Sequence, residues 1–191
     1  IIINVVIYLF DLVFTHWMKI EAWTPLYMGR FTMEQAVYGP QLWRWVTYQF
    51  LHRDSVHLIF NMIGLYFFGR LMEQWRGISG ALLFTILALT KALPIAPTSF
   101  MVGASGAIFG ILIGCALVAP DMKVMLIFPP IPMKMRTLAW IVLGIAVFVV
   151  MTRGENAGGE AAHLGGAALG FVLVKNPKLL NFASRWSMPR I

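Results

Sequence analysis

The chain runs to 191 residues, of which 59% are hydrophobic and 12% charged, with a mean hydropathy of +0.76. An ordinary soluble domain carries about 45 to 50% apolar and about 25% charged residues, so this composition excludes a soluble monomer and describes a chain whose solvent is mostly lipid. A net charge of +7 would suggest nucleic acid in a soluble protein; here the basic residues fall between apolar runs, where they set topology and meet anionic lipid headgroups, and no nucleic-acid partner is expected.

At ~20 apolar residues per spanning helix, the length allows about six helices joined by tight loops. The opening Ile1-Ile2-Ile3, with no initiator Met and no charged n-region, reads as a chain that starts at the edge of its first membrane segment and shows no signal peptide. The first expected span covers about 1–18, interrupted by Asn4, Asp11 and His16, which a bundle tolerates when polar groups face neighbouring helices. From 19 to 54, Trp23, Tyr27, Trp43, Trp45 and Tyr48 alternate with Lys19, Glu21, Arg30, Glu34, Arg44 and Arg53. That is the composition of the membrane interface, and a loop so long is expected to be functional or to carry short helices of its own.

The second span covers about 56–72 and ends in the cluster Glu73, Arg76 and Gly77; the third, about 78–95, is interrupted by Lys91 and closed by Pro94 and Pro97. The fourth, about 104–119, follows Gly103-Ala104-Ser105-Gly106 and stops at Pro120-Asp121. The prolines of Phe128-Pro129-Pro130-Ile131-Pro132 exclude a helix there, so the fifth span covers about 136–151 and the sixth about 161–174, ended by Lys175 and Pro177. With no repeat or low-complexity tract, residues 1–191 read as a single all-α polytopic membrane domain. A lone Cys115 within an apolar run makes no intramolecular disulfide and reads as a packing residue.

Alternating loops collect Arg70, Arg76, Lys123, Lys134, Arg136, Lys175, Lys178, Arg185 and Arg190 on one side. The other side holds Lys91 and Arg153 in short loops, with Lys19, Arg30, Arg44 and Arg53 tied to a long loop that counts less. Both termini are therefore expected to be cytoplasmic, in a multi-pass integral membrane protein of the cell (inner) membrane if the source is bacterial.

This topology sets His57 and Asn61, Ser105 and His163 at similar depth near the non-cytoplasmic ends of the second, fourth and sixth spans. A polar group at that depth is costly unless paired, and it marks a site by default. His57 and Asn61, four apart, share one helix face. Ser105 opens its helix, offering a hydroxyl and unpaired backbone N–H groups. Acyl transfer is the simplest chemistry that uses such a set: an imidazole takes the serine proton, the serine attacks a carbonyl, and donors hold the oxyanion. Taken singly, each residue has a plainer explanation, Gly-x-Ser-Gly as a packing or helix-start motif, His163 as a satisfied core histidine, Asn61 as interhelical glue. Taken together, Gly106, Gly110 and Gly114 on one span and Gly166 and Gly170 on another form smooth ridges along which Ser105 and His163 can meet. A Ser-His pair works without a carboxylate if packing alone orients the imidazole; Glu155 and Glu160 precede the sixth span and could serve as that carboxylate, but as loop residues they read as solvated. No cofactor or metal is called for, since His57 is followed by Leu-Ile-Phe-Asn and not by the carboxylate of a zinc motif.

The segment Phe50-Leu51-His52-Arg53-Asp54-Ser55-Val56-His57-Leu58-Ile59-Phe60-Asn61-Met62, then Gly69-Arg70-Leu71-Met72-Glu73, then Gly103-Ala104-Ser105-Gly106-Ala107-Ile108-Phe109-Gly110, then Ala162-His163-Leu164-Gly165-Gly166 with Gly170, resembles the rhomboid intramembrane serine proteases. The resemblance covers nearly all of the chain. It implies a six-transmembrane-helix bundle in which Ser105 is the nucleophile, His163 its base, and His57, Asn61 and the Ser105 backbone N–H form the oxyanion hole. It further implies that Trp43-Arg44 belong to the interfacial first loop, that Glu73 is a structural glutamate, and that Phe109 packs on the catalytic imidazole, with Gly103, Gly106, Gly166 and Gly170 in support. Single-span transmembrane proteins are the implied substrates and membrane lipid the surroundings; oligomeric state is not written in the sequence. A catalytically inactive rhomboid-like protein that binds membrane clients is the rival from another class, and such relatives typically lack the Ser or the His, both present here. A transporter or channel would need charged mid-span residues in paired, broken helices, for which Asp11 and Lys91 are the only candidates.

Overall fold

The apolar run of the first segment forms helix α1 (Ile2–Leu12), which continues into a wider π-type turn at Val13–Trp17. The structure is a computed structural model that describes residues 1–20, 24–32, 34–76, 100–126, 129–154 and 156–180. Asp11 on α1 accepts the backbone N–H of Leu26 at 2.9 Å, tying the first helix to the start of the first loop. There α2 (Pro25–Gly29) is capped by the Thr24 hydroxyl and begins on a proline, whose missing N–H costs nothing at a helix start. Strand β1 (Phe31–Thr32), a π-type turn at Glu34–Tyr38, helix α3 (Arg44–Thr47) and a 3-10 turn at Tyr48–Phe50 complete the loop, which carries the short helices its length leads one to expect.

Loop carbonyls that pair with no helix or sheet need other donors. Arg44, only 2% exposed, supplies several: its Nη1 donates to the Tyr27 and Arg30 carbonyls at 3.1 and 2.6 Å, and its Nε to Gln41 Oε1 at 2.6 Å. Trp43 Nε1 donates to the Met28 carbonyl, Trp45 Nε1 to that of Ala36, and the Thr47 hydroxyl to that of Gly29. Phe31 packs edge-on against Trp45 and Tyr48, with centroids 4.8 and 5.9 Å away.

Among the described residues, four longer helices follow: α4 (Ser55–Arg76), α5 (Ser105–Val118), α6 (Met135–Met151) and α7 (Ala157–Lys175). Strand β2 (Phe100–Met101) pairs antiparallel with β1, setting Phe31 opposite Met101, while β3 (Lys123–Met125) and β4 (Pro132–Lys134) form a hairpin between α5 and α6. Central α5 packs against α4, α6 and, most extensively, α7. Met72, Ile111, Leu112, Cys115, Met135, Leu138 and Leu173 make the core between these helices.

Two described helices are long and apolar enough to cross a membrane, Ser55–Met72 and Ala157–Lys175; Ile2–Trp17, Ser105–Val118 and Met135–Met151 are shorter apolar helices. Two boundaries differ from the sequence expectation. Helix α4 runs on to Arg76, because Glu, Gln and Arg are good helix formers and end a lipid-facing run without ending the helix. Helix α7 begins at Ala157 instead of 161, because Asn156 takes the left-handed conformation (φ 64°) and turns the chain before Gly158 and Gly159, which the first turn accommodates. The third expected span, about 78–95 with Lys91, lies outside the described residues, as do Glu155 and the side chain of Glu73.

Candidate active site

The approach of α5 to α7 is a contact between backbones. A Cβ on Gly166 would collide with the carbonyl of Gly106, and one on Gly170 would lie 2.7 Å from the Gly110 Cα and 2.8 Å from its carbonyl carbon. Only hydrogen at these positions lets the helices come so close. One turn from this contact, at the N-terminal ends of both helices, Ser105 Oγ and His163 Nε2 stand 2.6 Å apart, although 58 residues separate them in the chain. The imidazole is stacked on Phe109, with centroids 4.2 Å apart and ring planes at 12°. On its far side His163 Nδ1 lies 2.9 Å from Glu160 Oε2. Where the sequence favours a solvated loop for Glu160, the early start of α7 puts it one helical turn before His163, on the same face. That three-residue spacing is the signal that could have found it.

Helix α4 presents the second half of the site. Asp54 caps it, accepting the His57 backbone N–H at 2.8 Å, and the exposed Arg53 guanidinium pairs with the same carboxylate. Those two bonds, the His57 N–H first, hold the Asp54 carboxyl below its usual range. The Asn61 amide donates from Nδ2 to the His57 carbonyl at 2.8 Å, which uses one of its two donors, while its buried Oδ1 meets no partner among the described residues. Gly103 joins the two halves. It sits at φ 111°, a conformation L side chains rarely adopt, and a Cβ there would stand 2.6 Å from His57 Nε2. Its N–H donates to the Tyr48 carbonyl at 2.9 Å, so the first loop fixes the backbone leading into Ser105. Neither this bond nor the β1–β2 pairing is readable from sequence.

A cavity of about 1030 Å³ lies over these groups, lined among others by Tyr48, His57, Phe60, Asn61, Ser105 and His163. Burial pushes the Tyr48 hydroxyl up to about 12, so it stays protonated. Behind His57, edge-on at 5.1 Å between centroids, sits His52, 2% exposed, with neither ring nitrogen in hydrogen-bond geometry with a described residue. Burial, and then the neighbouring His57, pushes its imidazole down to about 4. Sequence reasoning gave His52 no role. Among the described residues, no three His, Cys, Asp or Glu side chains are grouped to hold a metal ion.

The arrangement thus brings Ser105, His163 and Phe109 into contact and places His57 and Asn61 across the same cavity. Comparison with known proteins adds the following. A family model described as the Rhomboid domain matches residues 39–175. The chain is similar to RHOMBOID-like protein 4 of Arabidopsis thaliana, at 33% identity over 76% of this chain and 36% of that protein. It is also similar to RHOMBOID-like protein 2 of the same plant, at 30% identity over 85% of this chain and 52% of that protein. Rhomboid protease GlpG of Serratia proteamaculans (strain 568) is 29% identical over 70% of this chain and 47% of that protein. The chain therefore spans between about a third and about half the length of these curated relatives.

Proposed function

The chain belongs to the rhomboid family, and on that premise we propose that it is an intramembrane serine endopeptidase working through a Ser105-His163 dyad. The observation that carries the reading is the 2.6 Å contact between Ser105 Oγ and His163 Nε2 beneath a cavity large enough for an extended peptide. Nε2 takes the Oγ–H proton as Oγ bonds to the scissile carbonyl carbon. The same nitrogen then gives the proton to the leaving amine as the C–N bond breaks, and water releases the acyl group from Ser105. The developing oxyanion takes hydrogen bonds from the Ser105 backbone N–H, His57 and the free Asn61 donor, each worth about 2.7 to 4 kcal/mol in the transition state. Gly103 lets the His57 ring close against the backbone that leads into Ser105.

Residues 1–191 act in this reading as one domain of six spans with both termini cytoplasmic. A 14-residue helix such as Ser105–Val118 rises only about 21 Å of the ~30 Å hydrocarbon layer. Anchored at the cytoplasmic face, it leaves Ser105 below the opposite surface, with the cavity supplying water to it. The substrates are single-span transmembrane proteins. A spanning helix hides its carbonyls in internal hydrogen bonds and exposes them most cheaply where Gly, Pro or Ser already weakens it, so the cut falls at a small residue beside such a stretch, near the non-cytoplasmic face.

Incubation of the purified chain with a fluorophosphonate probe and a single-span model substrate tests the reading. The expected result is labelling confined to Ser105 and cleavage that Ser105→Ala abolishes with thermal unfolding unchanged. Parental cleavage by Ser105→Ala would falsify the dyad.

A further inference from the structure

We infer that Glu160 is a positioning residue for His163, so that the working unit is Ser-His-Glu and not an unassisted pair; the inference rests on the protease reading above. Glu160 and His163 lie one turn apart on one face of α7, and their side chains are 19% and 14% exposed, so the 2.9 Å contact is shielded from most of the solvent. The first turn of a helix favours a carboxylate, because the unpaired N–H groups there carry partial positive charge. Stacking on Phe109 fixes the plane of the imidazole, yet it leaves open which nitrogen carries the proton. Glu160 decides that. An ionised carboxylate only accepts hydrogen bonds, so Nδ1 is the protonated nitrogen and the Nε2 lone pair is turned to Ser105 Oγ at 2.6 Å. The opposite tautomer would set the Nδ1 lone pair against the carboxylate oxygens and leave Nε2 unable to accept the serine proton.

The carboxylate also acts during the reaction. As the Oγ–H bond breaks and Nε2–H forms, the ring becomes an imidazolium and its positive charge faces Glu160 through Nδ1–H. Glu160 keeps its charge throughout, and the proton on Nε2 passes to the leaving nitrogen when the C–N bond breaks. Glu160 touches neither substrate nor reacting atoms and works only through His163.

Glu160→Gln keeps the length and helix preference of the side chain while removing its charge. In the purified chain it is expected to lower kcat for the single-span substrate and the rate of fluorophosphonate labelling of Ser105 together, by about 10- to 1000-fold, within the ~10⁴-fold loss known for amidation of a buried triad carboxylate. KM and the unfolding temperature should stay at wild-type values. The labelling rate separates this role from helix capping, because it reads the nucleophilicity of Ser105 without requiring a docked transmembrane substrate. If Glu160→Gln labels and cleaves like the wild type, or loses only unfolding temperature and KM, the inference is overturned while the dyad stands, provided Ser105→Ala is inert. A wild-type chain that neither labels nor cleaves overturns the protease reading, and this one with it.

Discussion

In the first loop, Trp43, Arg44, Trp45 and Thr47 reach back 9 to 18 residues along the chain to main-chain oxygens, whereas α5 and α7 meet through what their facing glycines lack. Under the membrane placement proposed above, the two solutions follow from the surroundings. At the interface, an irregular backbone must find donors for its carbonyls, and long amphipathic side chains supply them. Inside lipid, burying an apolar side chain against another helix gains little, since hydrocarbon is equally apolar, and association depends on close contact between small residues. The consequence for the site is specific: the Ser105-His163 distance is set by two backbones and has little freedom to adjust through rotamers. The loop acts on the site at one remove, through the Gly103 N–H bond to the Tyr48 carbonyl and the β1–β2 pairing.

The sharpest way to break this contrast is Gly170→Val. Its Cβ would meet Gly110 backbone atoms at 2.7 and 2.8 Å, and backbone cannot swing aside as the end of a side chain can. We expect a loss of more than about 3 kcal/mol of stability, the upper range for overpacking, and cleavage below detection. The matched control is Gly144→Ala on α6, where nothing lies within 4 Å of the added carbon; it should unfold at or slightly above the wild-type temperature, by the ~0.8 to 1.0 kcal/mol helix preference of Ala over Gly. Equal unfolding temperatures for Gly170→Val and wild type would mean that the glycine ridge does not set the helix approach.

A smaller effect is expected in the loop. Arg44→Leu removes the donor of two main-chain carbonyls, those of Tyr27 and Arg30. At about 1 to 3 kcal/mol for each buried group left unsatisfied, the two carbonyls set a ceiling of about 6 kcal/mol, and water reaching them at the protein surface brings the cost toward about 2 kcal/mol, read by thermal unfolding in micelles. Because Gly103 is tied to the loop, kcat should fall as well, yet the folded fraction should still label with fluorophosphonate. A variant that unfolds like Gly170→Val and never labels would remove the distinction between the two regions.

The difference between the regions also explains what the sequence disclosed. Glycines four apart on two spans announce smooth faces with no side chain in the way, so that Ser105 and His163 can meet if those two faces are turned toward each other. Arg44 carries no comparable signal, because its partners are carbonyls, which every residue has, and nothing in Tyr27 or Arg30 marks theirs as needing a donor. The strands β1 and β2 are two residues each and pair across a long separation, too short for any alternation to show. Glu160 reads as a loop residue in the sequence for a local reason: Gly158 and Gly159 disguise the helical turn that places the carboxylate under the imidazole. The charges at Glu73 and Arg76 likewise read as the end of a helix that in fact carries them.

The smallest effect concerns His52, which belongs to the loop side of the comparison yet lies against the site. Its imidazole is held near 4, against the ordinary value of about 6.5. The folded state therefore keeps His52 neutral while the unfolded chain protonates it near pH 6.5, so the contribution is fully present above that pH and is lost progressively as pH falls toward 4. His57 adds to the downward push, while the Phe50 backbone and then the Asp54 charge oppose it. Asp54 is itself held below the usual carboxylate range, so its own contribution fades only below this window. His52→Phe keeps a ring beside His57 and removes the titrating group. The unfolding temperature of the wild type should thus fall more steeply than that of His52→Phe between pH 6.5 and 4.5, by a few degrees at the acid end. Parallel profiles would mean that His52 is hydrated in the folded protein and titrates as it does in water, and the pocket behind His57 would then be wet.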